Sequence, residues 1–436
     1  MSEFARQINS DPAWLGQQLR TSLPAAHRAL LDASSAQAAA LDLQLYLVGG
    51  MVRDLLLQRA NSDLDFAVEG DAQAVATAVA VSLTPAAKVI RHPQFGTAAL
   101  EWQPGLGQPP AEADYATTRH ETYAQPAALP TVSFASLADD LARRDFTINA
   151  FALRLPDLTL IDRHGGLTDL RAGLLRVLHA GSFVDDPTRI FRAVRYAVRL
   201  GFGLAAETLA DLQAAVAGGM IARLSPDRLR HELAKVLHEP TASAMLLRLN
   251  DLGVLTAIHP GLALSLNSRA ALVRLAVLGG DELAYYAAIC VDLLAADPAQ
   301  VGEVAARLNL PPGTRADLHA LGLLRASVPG LELLACTTPQ PRSTVYWALQ
   351  GYSSAALRAY ALLSPEHETV TLYLNDLSKS KLLLTGDDLA RLGLPPGPAY
   401  KPIQRELLRA QLDGEIVSRV QAELLASKLI GAQVDR

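Results

Sequence analysis

Asp63 and Asp65 are separated by one residue at the start of an apolar run, Leu64 to Val68. Alternate side chains of a β-strand share a face. The two carboxylates therefore point the same way, while Leu64 and Phe66 turn into a core. Two like charges on one rigid strand repel each other unless a cation lies between them. Hard oxygen donors at this spacing suit Mg²⁺, which keeps open positions for phosphate oxygens. Upstream, Gly49-Gly50 interrupts the apolar run Leu45-Tyr46-Leu47-Val48 and opens a helix-like segment with Val52, Leu55 and Leu56 on one side. Glycines there let backbone N–H groups approach a phosphate near a helix start, and Arg53 adds a fixed positive charge. Alone, a Gly-Gly pair is usually only a turn, and an Asp-x-Asp usually a solvated strand end. Their conjunction with a strand, a helix and an Asn61-Ser62 turn within Leu45 to Val68 points to phosphate chemistry.

Further charges lie at the edges of buried segments. Arg143-Arg144-Asp145 precedes Phe146-Thr147-Ile148-Asn149-Ala150, an apolar run re-entering a core. In Phe183 to Phe202, Pro187 fits a first helical turn with Asp185 or Asp186 as the cap. On that helix Asp186, Arg189, Arg192 and Tyr196 recur at steps of three and four and line one face, with Arg195 and Arg199 beside it.

The order of strand, Gly-Gly, Val-Arg-Asp, turn and Asp-x-Asp resembles the nucleotidyltransferase signature of class II tRNA nucleotidyltransferases and bacterial poly(A) polymerases. Arg143 to Ala150 resembles that family's second motif. Leu160-Ile161-Asp162 with Gly165-Gly166 resembles the third, and Asp186 with Arg189 the motif that reads the incoming base. Ser225 to Leu233 resembles a bracing fifth motif. The resemblance runs from about Leu45 to near the C-terminus. It implies that Asp63 and Asp65 are catalytic and hold two Mg²⁺ ions. Gly50, Arg53 and Arg144 would hold phosphates, and Arg192 and Arg195 would lie near the nucleotide or the RNA end. Asp114 is a candidate third acid, Asp145 and Asn149 fix local geometry, and Asp162 is a brace. Position 185 usually carries Glu in the family, and Asp185 stands there. The implied activity is addition of C, A or both to a tRNA 3′ end from CTP and ATP. The segment Ala124 to Ala135 lacks the charges that a base-switching loop often carries, which leans the expectation towards addition of C only. A poly(A) polymerase and a catalytically inactive RNA-binding relative are the alternatives.

These residues need a sheet to carry them. The pattern predicts helices up to about residue 40 and a helix from Asp71 to Val81. A hairpin is expected over Lys88 to Leu100, turning at Pro93-Gln94-Phe95-Gly96, then a strand at Asp114 to Thr117 and a helix capped by Ser136. From about Leu249 the chain becomes Leu- and Ala-rich helical segments. The expected fold class is α+β: a palm-like head with a mixed sheet flanked by helices, then an all-α neck, body and tail. The expected divisions are 1–40, 41–155, 156–250, 251–370 and 371–436. The tail, with Arg405 and Arg409 exposed after a Pro395 to Pro398 corner, is expected to clamp RNA. A net charge of −5 excludes a global polycation, so RNA must be held by local patches. Cys290 and Cys336 fit a reducing compartment. The N-terminus has no signal-peptide pattern and no run is long enough to span a membrane, so a cytoplasmic location is expected.

Overall fold

The computed structural model describes residues 8–434 apart from 123, 129, 326–339, 365–367 and 396. The chain forms two compact units, 1–225 and 226–436. The first begins with helices α1 (Pro12–Ser22) and α2 (Ala25–Ala40). There follow β1 (Gln44–Val48), α3 (Gly50–Leu56), β2 (Leu64–Glu69), α4 (Ala72–Ser82), β3 (Lys88–His92), β4 (Thr97–Trp102) and β5 (Ala111–Thr117). A separate pair, β6 (Arg119–Thr122) and β7 (Thr131–Phe134), precedes α5 (Leu137–Ala142), β8 (Phe151–Leu155) and β9 (Thr159–Asp162). The unit closes with α6 (Gly166–Ala172), β10 (Leu174–Leu175), α7 (Ser182–Asp185), α8 (Thr188–Leu200), β11 (Gly203–Leu204) and α9 (Ala206–Ala217).

Seven strands form one mixed sheet in the order β3-β4-β5-β2-β1-β8-β9. The strands β2 and β5 pair in parallel, while β1 pairs with β2 and β8 in antiparallel fashion. The alternation of side chains then sorts the two faces. Leu45, Leu47, Phe66, Val68, Leu100 and Tyr115 are buried; the Phe66 and Tyr115 rings stack at 5.0 Å. Tyr115 shares a 2.5 Å hydrogen bond with Ser34 of α2, which ties that helix to the sheet. On the other face Tyr46, Val48, Ala67 and Ala152 pack under Leu137 and Leu141 of α5. This helix covers only part of that face, and beyond it the strand residues are small or acidic. A cleft is left there.

The turns follow from their residues. In the expected hairpin, Pro93–Phe95 forms one 3₁₀ turn and Gly96 closes it in the left-handed region, φ +61°. Ser136 and Asp139 form a capping box that starts α5. Asp162 accepts from the N–H groups of Gly166 and Leu167, both at 2.9 Å, and so starts α6. A Cβ on Gly166 would stand 2.4 Å from the Thr147 carbonyl oxygen, so only glycine permits this approach. Part of the uncharged stretch expected as a loop, 124–135, is the strand β7, paired with β6 from Thr131↔Thr122 to Phe134↔Arg119.

Among the described residues the elements of the second unit are all helical, from Pro226–Leu237 to Arg419–Val434. One of its cores gathers Leu349, Leu357, Val370 and Leu377, and another Leu384, Leu389, Ile403 and Ala426. In the tail, Thr385 and Asp388 cap the helix Gly386–Arg391, and Tyr400–Leu412 follows. Arg405 lies 4.9 Å over the Trp347 ring. Arg409 is committed to Glu406 and Glu415, at 2.9 and 2.6 Å. Pro396, within the expected proline corner, and Cys336 lie outside the described residues. Cys290 is buried as a free thiol. Among the described residues no helix is long and apolar enough to cross a membrane.

Candidate active site

Asp65 lies in β2 directly beside Asp114 of β5 in the parallel register. Asp63 stands one residue ahead of the strand. Its N–H donates to Asn61 Oδ1 at 2.9 Å, while Asn61 Nδ2 donates to Asp54 at 2.8 Å, so the Asn61-Ser62 turn fixes where Asp63 begins. The sheet thus brings three acids together. Burial pushes the Asp65 carboxyl up to about 7, and the charges of Asp63 and Asp114 push it the same way against Arg144. Burial also raises Asp114, helped by Asp63 and Glu112 and opposed by His92.

Asp65 and Asp114 border a cleft of about 350 Å³ whose lining also includes His92, Asp140, Arg143 and Arg144. Arg144 is positioned by α5. Its Nη2 donates to Asp140 at 3.1 Å and its Nη1 to the Asn149 carbonyl at 3.3 Å. Its Nε is buried without a hydrogen-bond partner. A buried donor without a partner costs free energy, and here it is set beside a cleft that could admit an anion. Gly49 sits under this guanidinium: φ is +74°, and a Cβ would lie 2.9 Å from Arg144 Nη1. Only glycine meets both demands. Asp140 is the residue that sequence reasoning missed. Burial would raise its carboxyl, but Arg144 and Arg143 outweigh that and hold it low. Its signal was its place three and four residues before the two arginines. Glu121 of β6 joins the same network by accepting from Arg143 at 2.8 Å.

The remaining expected residues form a second network behind the Gly-Gly turn. Arg53 is buried, with 3% of its surface exposed. It donates to Asp54 at 2.9 and 3.0 Å and to Asn149 Oδ1 at 2.6 Å, and lies 5.0 Å over the Tyr196 ring. Gly50 lies between, with Arg53 Nη2 3.5 Å from where its Cβ would stand. Asn149 donates to Asp145, and Asp145 accepts from Arg192 Nε at 2.7 Å. Burial raises the Asp145 carboxyl, but Arg192 and Asn149 prevail and keep it low. Arg189 is buried, donating to Ser182 Oγ at 2.5 Å and to the Arg143 carbonyl at 2.8 Å. Asp186 accepts from the Thr188 N–H at 3.1 Å, but the N-cap position of α8 is Pro187 and not the expected Asp185 or Asp186. Arg195 is half-buried on the same helix. Buried arginines thus join α8 to the Arg143 to Ala150 segment.

Residues 45–176 match the family model described as the poly A polymerase head domain, and 201–266 one described as a probable RNA and SrmB-binding site of polymerase A. An A-adding tRNA nucleotidyltransferase of Geobacter sulfurreducens is 37% identical over 89% of this chain; the chain spans 45% of that relative's length. A CC-adding tRNA nucleotidyltransferase of Deinococcus radiodurans is 34% identical over 96% of this chain and 97% of its own. The chain belongs to the tRNA nucleotidyltransferase and poly(A) polymerase family. Within this family, the solved apo structure of a CCA-adding enzyme is similar with a TM-score of 0.79 and 30% identity, covering 95% of this chain and 98% of that one. The expected α+β head with helical remainder is therefore the family fold.

A nucleotidyltransferase of this family is generally metal-dependent, and the donor set can be tested against that. Among the described residues no three His, Cys, Asp or Glu side chains form a ready metal cage. Mg²⁺ does not require one, since it binds through one or two carboxylates and substrate phosphates. Burial raises Asp65 most, and the repulsion from Asp63 and Asp114 that adds to it is what a divalent cation relieves, so the acids fit the ion. A pH dependence follows. Below about pH 7 Asp65 holds a proton that must leave when a metal binds. The Mg²⁺ concentration for half-maximal binding should rise about tenfold from about pH 8 to pH 6. Titration calorimetry at the two pH values checks this, and equal affinities would contradict it.

Proposed function

We propose that this chain adds nucleotides, without a template, to the 3′ end of tRNA from CTP, ATP or both. The observation that carries the reading is that Asp65 and Asp114 line one cleft with an Arg144 whose buried Nε has no partner, while the Asp63 charge acts on both acids and Gly49 lies against the Arg144 guanidinium. The nucleophile is the RNA 3′-hydroxyl, so no covalent protein intermediate is needed. Asp63 and Asp65 would hold two Mg²⁺ ions, with Asp114 beside them. Ions bound there supply a lowered hydroxyl pKa and neutralise the departing pyrophosphate. The protein's own share is positioning and fixed charge.

Arg144 grips the triphosphate through a planar fork, which suits phosphate oxygens. The Gly50 N–H at the start of α3 is offered to the phosphates, the Gly49 N–H being given to the Phe151 carbonyl at 3.2 Å, and Arg53 adds its charge from beneath. Asp186 and Arg189 select the base. A carboxylate accepts from an exocyclic amine while a guanidinium donates to the adjacent ring position. Cytosine and adenine each present that pair, whereas uracil and guanine present other edges. Arg189 spends two contacts on Ser182 and Arg143. A guanidinium has five N–H donors, so capacity remains for a base. Arg192 and Arg195 flank this position. Arg189→Ala should relax CTP-over-UTP choice more than it weakens triphosphate binding. Competition kinetics with the two nucleotides check it, and unchanged discrimination would contradict the assignment.

Between the two bases the reading leans to C. The uncharged segment 124–135 supports this, and its tip is tied to α7 by the Ala127 N–H to Val184 carbonyl bond of 3.2 Å. Addition of A is the second reading, favoured by the similarity to the Geobacter relative. Neck, body and tail are assigned to 156–250, 251–370 and 371–436, the last as RNA clamp, and the enzyme to the cytoplasm. The buried free thiol of Cys290 suits a reducing compartment. Incubating truncated tRNA with labelled CTP and ATP separately tests all of this. Incorporation of C only, A only, both, or long A tails separates the readings, and no incorporation refutes them.

A further inference from the structure

The groups assigned to the triphosphate stand on one wall of the cleft. On the far side the cleft is lined by His92, the last residue of the edge strand β3, which the nucleotide reading does not use. The floor between is made of small side chains. Ala67 lies two residues beyond Asp65, and Ala116 two beyond Asp114. Ala99 and Thr97 stand beside Asp114 and Ala116 in register. At the far edge His92 ends β3, exposed, lining the same cleft as Asp65 and Asp114. Among the described residues no hydrogen bond of its side chain is found.

A second cavity, of about 520 Å³, follows along the same turn. Pro93, Gly96, Thr117, Thr118 and Phe134 line it. Three pairs of chain neighbours, His92-Pro93, Gly96-Thr97 and Ala116-Thr117, are divided between the linings of the two cavities. Phe134 leaves 69% of its surface exposed. Its ring is seated against Gly96, where a Cβ would lie 2.7 Å from Cε1. The β6–β7 pair therefore holds an aromatic face against the turn that follows His92.

In-line displacement at phosphorus puts the attacking and leaving oxygens on opposite sides. With pyrophosphate leaving along the Gly49 and Arg144 wall, the RNA hydroxyl must arrive from the His92 side. Unpaired RNA is held by stacking of its bases on aromatic rings together with contacts to its backbone. We propose that His92 and Phe134 form the seat of the unpaired RNA 3′ end on the head. The imidazole hydrogen-bonds the sugar-phosphate of the terminal nucleotide, and the Phe134 ring stacks on an unpaired base behind it. This rests on the tRNA-extending function above and adds the side from which the RNA enters.

Steady-state kinetics of the full chain on 3′-truncated tRNA test it. Phe134→Ala and His92→Ala should each raise the KM for RNA about tenfold, with a smaller change in kcat. The Kd for CTP and ATP, measured without RNA, should change far less than the KM for RNA. Phe134→Tyr should keep the RNA KM low and Phe134→Leu should not, because tyrosine keeps the ring face and leucine only apolar bulk. An unchanged RNA KM in either alanine variant overturns the proposal. So does equal rescue by leucine, or a Phe134-dependent self-association that accounts for the exposed ring. If the unaltered protein incorporates no nucleotide, the functional reading fails instead. The seat is then judged by the RNA Kd of the same variants in filter retention, with the same directions.

Discussion

Asp65→Asn is expected to lower nucleotide transfer by about a thousandfold or more, the equivalent of several kcal/mol of transition-state stabilisation. It should leave tRNA binding nearly intact and raise the Tm of the metal-free protein. The two directions have one cause. In the unfolded chain the carboxyl releases its proton near the ordinary 3.8, and in the folded chain near about 7. Between those values the folded state holds more protons, so stability falls as pH rises across that window. Above it the full penalty remains, on the order of a few kcal/mol. Asparagine keeps the shape and discards the charge, so the Tm gain should grow from about pH 4 to about pH 8. Thermal melts across that range with Mg²⁺ chelated, alongside transfer assays, check both halves. Retained activity, or a Tm difference independent of pH, would contradict the account. Addition of Mg²⁺ should stabilise the unaltered protein and not the variant.

Arg144→Ala should raise the Kd for CTP and ATP about tenfold to a hundredfold, the loss of one or two charge-assisted contacts. Arg144→Lys should recover little of it, because an ammonium is a point charge and cannot span two phosphate oxygens. The fold should tolerate the change, since Asp140 keeps Arg143 at 2.7 Å as a partner for its buried charge. The defect should vanish for the nucleosides cytidine and adenosine, which carry no phosphate. An equal loss for nucleoside and triphosphate would mean that Arg144 supports the fold and not the phosphates.

Local patterns were legible in the sequence and long-range partnerships were not. The Gly-Gly break and the Ser136 cap are each set by residues within a few positions, and the structure contains both; the alternation expected from Asp63 holds from Leu64 onward, because the Asn61-Ser62 turn keeps Asp63 just ahead of β2. The register that sets Asp114 beside Asp65 depends on β2 choosing β5 as a parallel neighbour. A run of apolar residues does not encode that choice. Arg53 reads as a surface charge on a short helix. Its burial is made possible by Asp54, next to it, and by Asn149 and Tyr196, more than ninety residues away in sequence. Asp140 was missed because a carboxylate in a capped helix ordinarily faces water, and only the fold shows two guanidiniums closing over it. The uncharged stretch before Ser136 read as a loop because its strand partner, β6, is rich in charge and carries no apolar alternation of its own.

The central claim concerns where the acids, the Gly-Gly turn and Arg144 stand around one nucleotide. A crystal structure of the chain with a non-hydrolysable CTP or ATP analogue and Mn²⁺ in place of Mg²⁺ tests it most directly. Anomalous peaks at Asp63 and Asp65, with the triphosphate against Gly49-Gly50 and Arg144 and the base edge at Asp186 and Arg189, are the result expected. Metal peaks away from those acids, or a triphosphate bound outside that cleft, would contradict it.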